Sequence, residues 1–131
     1  MIGLDTNVLV RYLVQDEPAQ FRRAEQFIEQ HLTAWNPGFV SVVTVVEMAW
    51  VLERVYEVTD AALCSAIERL LQADTLVVES EQAVFTAMVA LRKGLGSFAD
   101  ALIGALGSQA GCSHTVSFDR RALRLGGFAL L

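Results

Sequence analysis

Apolar and polar positions fall in blocks along the chain, and the blocks change period. Residues 1–4 are apolar and end at one acid, Asp5, before apolar residues resume beyond Thr6 and Asn7. Residues 2–4 thus predict a short buried strand and residues 6–14 a helix, which puts the carboxylate at the carboxyl edge of a sheet. Open α/β sheets bind their ligands at that edge. Gln15-Asp16-Glu17-Pro18 breaks the pattern, and proline suits the first turn of a second helix. Over residues 19–32, Phe21, Ala24, Phe27, Ile28 and Leu32 share one face, with Arg22, Arg23, Glu25, Gln26 and Glu29 largely off it, as a surface helix requires. Asn36-Pro37-Gly38 marks a turn.

Residues 39–43 are β-branched and aromatic and predict a second strand. The apolar run from 44 to 56 is too long to be its continuation and reads as a helix. Thr59-Asp60 starts another, to about residue 73, with Leu63, Ile67, Leu70 and Leu71 inward, and residues 75–78 form a third strand. Ser80 reads as the cap of a helix that Lys93-Gly94-Leu95-Gly96 ends. A helix over 97–110, a fourth strand over 113–118, a short helix over 119–125 and an edge strand over 128–131 complete the order. Alternating strands and helices predict an α/β fold with a mostly parallel sheet of four to five strands, in one domain spanning 1–131.

With 131 residues, 53% of them apolar, the chain is long enough for a full core and has no disordered composition. Charges interrupt every apolar run before it reaches the length of a membrane span. Asp5 falls where a secretory leader would carry basic residues, so a soluble, cytoplasmic protein is expected. Cys64 and Cys112 sit in apolar surroundings and read as free buried thiols. The net charge of −5 argues against a simple basic nucleic-acid binder. Setting aside four of the 15 acids as a metal site leaves eleven against ten basic residues, so a nucleic-acid substrate stays open.

Four acids stand in apolar company: Asp5 closing the first strand, Glu47 within an apolar helix, Asp100 after Phe98-Ala99, and Asp119 after Val116-Ser117-Phe118. A charge buried there is costly unless a cation faces it. Each has a plain alternative. Asp5 and Asp119 suit helix N-caps, and Ser97-Phe98-Ala99-Asp100 matches a capping box. Glu47 alternatively pairs with a buried arginine, Arg11 or Arg54. Jointly, their positions at strand ends and early helix turns share one edge of a parallel sheet. Carboxylates gathered there need a cation between them, and hard oxygen ligands without histidine or cysteine suit Mg²⁺ or Mn²⁺. Such ions activate water and stabilise the charge that develops when a phosphodiester is hydrolysed.

Asp5-Thr6-Asn7 after a strand, Glu47 in mid-helix, Phe98-Ala99-Asp100-Ala101 and Ser117-Phe118-Asp119 resemble the four acidic motifs of the PIN-domain nucleases. The resemblance extends to length and β-α order and covers essentially the whole chain. Small single-domain members of this kind are typically VapC-type toxins of toxin–antitoxin pairs. The resemblance implies a three-layer α/β/α fold and a Mg²⁺- or Mn²⁺-dependent endoribonuclease acting on RNA. Asp5 and Asp100 would be direct ligands, with Glu47 and Asp119 completing the site partly through water. Thr6, Asn7 and Ser117 would orient the carboxylates. It further implies a homodimer and a cognate antitoxin that blocks the site.

One departure is Ser117 where threonine is frequent; another is that Lys93 is the sole lysine. Arginine must then hold phosphate, and Arg120, Arg121 and Arg124 follow Asp119 directly. Their plain alternative is a solvated helix face. Trp35 and Trp50 offer base stacking but fit core packing better, Trp50 above all. His31 reads as a helix-end surface residue and His114 as a strand residue, neither with a catalytic partner.

Two rivals come from other classes. A phosphatase of the haloacid dehalogenase type also begins with a strand ending in aspartate, but needs a second aspartate where Asn7 stands. The other is a PIN-like interaction module without catalysis, which has no need to keep costly acids.

Overall fold

A computed structural model describes residues 1–131. They divide into two compact units, Met1–Glu79 and Ser80–Leu131, and every strand pairing in the chain is parallel. No helix is long and apolar enough to cross a membrane.

The first unit runs β1 (Ile2–Gly3), α1 (Thr6–Val14), α2 (Pro18–Gln26), a π-helical turn (Phe27–His31), β2 (Gly38–Val40), α3 (Val42–Arg54), α4 (Asp60–Gln72) and β3 (Leu76–Val78). Its sheet has the order β1-β2-β3, with Gly38 in register with Ile2 on one side and Leu76 on the other. A Cβ at Gly38 would stand 2.8 Å from Leu32 Cδ1 and 3.0 Å from both Leu4 Cδ1 and Leu76 Cδ2. Glycine there lets three leucines close over the central strand. Val40, Val45, Met48, Leu63 and Ile67 are fully buried and form the centre of this core.

Pro18 occupies the start of α2, as expected, since its missing N–H has no partner to lose in a first turn. Arg11 ties the α1–α2 loop to the end of α3. Its Nε donates to Gln20 Oε1 (2.6 Å) and its Nη1 to Asp16 Oδ1 (3.3 Å) and Tyr56 Oη (3.1 Å). The second strand is shorter than its β-branched run suggests. Ser41 Oγ accepts from Thr44 N (3.1 Å), and this cap draws Val42 and Val43 into the helix with the residues beyond them.

The second unit runs α5 (Glu81–Arg92), α6 (Phe98–Gln109), β4 (Thr115–Ser117), a 3₁₀ turn (Arg120–Leu125) and β5 (Phe128–Leu130). β4 and β5 pair with Thr115 opposite Phe128 and Ser117 opposite Leu130. Val84, Ala87, Met88, Phe98 and Leu102 make the apolar seam of the two helices. Gly94, at φ +70°, ends α5. Ser80 does not cap α5 with its hydroxyl: it takes a left-handed conformation, φ 52°, and its side chain makes no cap bond. Both cysteines are free, but only Cys64 is buried. Cys112 is exposed because it lies in the turn beyond the end of α6.

Candidate active site

In the first unit the three parallel strands release the chain at one edge, and each release is followed by a helix or a carboxylate. β1 leads through buried Leu4 to Asp5, whose extended backbone (φ −81°, ψ 157°) makes it the N-cap of α1. Asp5 Oδ1 accepts from Thr6 N at 2.9 Å. The helix dipole favours a negative group there. Thr6 is buried, whereas Asn7 is exposed and lines a hollow of about 580 Å³ with Val8, Arg11, Gln20, Arg23 and Phe27. β2 ends at the Ser41 cap. β3 ends at Glu79, whose Oε1 accepts from Val42 N at 2.8 Å.

Glu79 is the acid that sequence reasoning passed over. Its signal, an acid at or just beyond the end of a strand, is shared with Asp5 and Asp119. Its observed partner assigns it to the start of α3.

Glu47 lies farther along α3 and is exposed. It shares with Val42, Val43, Val46, Trp50 and Val51 a shallow concavity of about 550 Å³. Neither Arg11 nor Arg54 pairs with it: Arg11 is engaged by Asp16, Gln20 and Tyr56, and Arg54 is exposed at the end of α3. Trp50, 57% exposed, and Trp35, 97% exposed, are surface residues rather than core. Trp50 lies on the outer face of α3 that Glu47 shares, and Trp35 in the bend before β2. His31 is exposed and stacks on Phe27, and His114 bonds the neighbouring Ser113 hydroxyl.

In the second unit Ser97 caps α6, its Oγ accepting from Asp100 N at 3.1 Å. The cap holds the first turn in place, and with it Asp100. β4 ends at Ser117, whose Oγ accepts from Asp119 N at 2.9 Å. That bond turns the chain so that the Asp119 carboxylate receives Arg121. Oδ1 accepts from Arg121 N (2.9 Å) and Nε (3.1 Å), and Oδ2 from Nη2 (3.0 Å).

The side-chain hydrogen bonds from Arg121, then its backbone N–H, hold the Asp119 carboxyl below the usual carboxylate range. Arg121 is raised in turn, chiefly by Asp119, with a further contribution from the charge of Asp100. One guanidinium therefore feels both Asp100 and Asp119. Arg120 and Arg124 are exposed and carry no side-chain bond.

The expectation of buried acids needs correcting. Asp5 and Glu47 are exposed, and Asp100 and Asp119 are half-buried. Leaving a strand mouth or an outer helix face spares a carboxylate most of the desolvation that apolar neighbours in sequence suggest. Neither unit by itself gathers three or more His, Cys, Asp or Glu side chains into a metal-holding group.

The PIN-domain model matches residues 2–127. The chain belongs to the PIN-domain family. Its α/β architecture of parallel strands is that of a PIN domain. The chain is similar to the VapC ribonuclease of Aquifex aeolicus (strain VF5), 28% identical over 123 residues that cover 94% of this chain and 90% of that protein.

Proposed function

We propose that this PIN-domain protein is an endoribonuclease that uses Mg²⁺ or Mn²⁺ held by Asp5, Glu47, Asp100 and Asp119. The observation that carries the proposal is the setting of two acids of the second unit, Asp100 and Asp119. Ser97 holds the turn that carries Asp100, Asp119 grips Arg121 with both oxygens, and both acids raise that guanidinium, inside a chain whose residues 2–127 match the PIN domain. The donor set fits the metal: all four side chains offer hard oxygen, and none is sealed from solvent. A bound ion would supply an activated water and stabilise charge on the phosphate.

The residues' own work is to position and to bind. The Thr6 N–H fixes the Asp5 carboxylate, and the Ser117 hydroxyl sets the backbone of Asp119. Asn7, exposed two residues beyond Asp5, orients ligands at that edge. Arg120, Arg121 and Arg124 bind RNA phosphates, the first and last with guanidinium groups free of side-chain partners. The reading takes residues 1–131 as one nuclease domain to which both units contribute.

By similarity to a VapC ribonuclease, the chain is read as the toxin of a toxin–antitoxin pair. It would act as a cytoplasmic homodimer blocked by its cognate antitoxin. The test is cleavage of total cellular RNA by purified, antitoxin-free protein with Mn²⁺, with EDTA, and with Asp100→Asn. Discrete cutting that needs metal and is lost in the variant is expected. Folded protein that cuts under no condition would favour a non-catalytic PIN module.

A further inference from the structure

Asp119 is held by a residue two positions along its own chain, and its two oxygens are held differently. Oδ1 has a backbone partner, Arg121 N, as well as Nε. Oδ2 has only Nη2. Releasing the guanidinium therefore frees Oδ2 completely, while Oδ1 stays anchored and the carboxylate keeps its orientation. The Arg121 side chain is 90% exposed, so nothing packs against it to resist that release. The charge of Asp100 reaches the same guanidinium.

We propose that the Arg121 guanidinium is a resident counter-ion that competes with the divalent metal for Asp119. Without metal it neutralises Asp119. When metal arrives it gives up Oδ2 and becomes free for a substrate phosphate, so one side chain serves the two charge states of the site. This inference rests on the metal-dependent reading above.

The test is the Mn²⁺ dissociation constant of the full chain without RNA, read from the electron spin resonance of free Mn²⁺. Wild type is compared with Arg121→Gln, Arg121→Lys and Arg120→Gln. Arg121→Gln should bind Mn²⁺ about threefold more tightly, the scale of one exposed ion pair removed from competition. Arg121→Lys, which keeps the charge but loses the fork, should fall between it and wild type. Arg120→Gln deletes the same charge next door without touching the pair, and should change binding less than about twofold.

Equal effects of Arg121→Gln and Arg120→Gln would overturn the competition and leave only general charge. So would weaker binding by Arg121→Gln. Wild type that binds no Mn²⁺ would overturn the metal-dependent reading and this inference with it, an outcome distinct from both.

Discussion

Gly104→Ala sets two effects of known size against each other. Gly104 lies one turn beyond Asp100 on α6, and a Cβ there would stand 2.7 Å from Phe128 Cε2 and 3.3 Å from Phe128 Cζ. Replacing a helical glycine by alanine gains about 1 kcal/mol of helix propensity. Forcing a methyl into an occupied contact costs about 1–3 kcal/mol. Because 2.7 Å is far inside van der Waals contact, the ring or the helix must move, and a net loss of about 1 kcal/mol is expected from the two terms together.

Phe128 opens β5, which pairs with β4, the strand that delivers Asp119. The displacement therefore changes where Asp100 sits relative to Asp119. A misplacement of about 1 Å can cost on the order of 100-fold in rate. Urea unfolding should show the loss of stability, and cleavage should fall further than that loss accounts for. In Gly104→Ala/Phe128→Leu the shorter side chain withdraws from the clash and stability should return, giving a measurable coupling between the positions. A Gly104→Ala protein more stable than wild type would refute the reasoning, since propensity would then have won and the ring would have yielded freely.

Asp5→Asn should abolish RNA cleavage while the amide still accepts from Thr6 N and the fold survives; retained activity would remove Asp5 from the site. Millimolar Mn²⁺ should raise the melting temperature of wild type through binding to the native state, and not that of Asp100→Asn. An equal rise in both proteins would place the metal elsewhere. Burial, and then the charge of Asp60, raise the Glu53 pKa. A raised carboxyl contributes stability at low pH that is lost as pH rises through the folded value. Glu53→Gln should therefore be neutral near pH 4 and stabilising near pH 7, and a lower melting temperature at neutral pH would contradict it.

The element order was legible because its signals are local and redundant. Pro18 at a helix start, Thr59 accepting from Ala62 N, and Ser97 accepting from Asp100 N each announce a helix by its first turn. Boundaries failed where one local preference beat another. Val42 and Val43 have strand character, yet the Ser41 cap and the Glu79 carboxylate on Val42 N pull them into α3. The π-helical turn at Phe27–His31 has no sequence signal of that kind. Trp50 was misplaced because an apolar run says that a helix is apolar, not which of its faces lacks a neighbour.

The places of Asp5, Asp100 and Asp119 at strand ends and helix starts were legible, but their environment was not. An acid after a strand is ambiguous from sequence because the exposed N–H groups of a helix start attract a carboxylate whether or not a ligand binds there. Glu79 and Asp119 carry the same signal, and both do accept a backbone N–H. Capping and ligation are not exclusive, however, since an ionised carboxylate offers about four lone-pair directions. What separates the two residues is the remaining oxygen. Asp119 presents Oδ2 to a cationic side chain that is almost wholly in solvent, and Asp100 acts on the same cation. It is on that second oxygen that the proposed metal role of Asp119 rests. That distinction lies in the company of an oxygen atom, which spacing along a sequence does not encode.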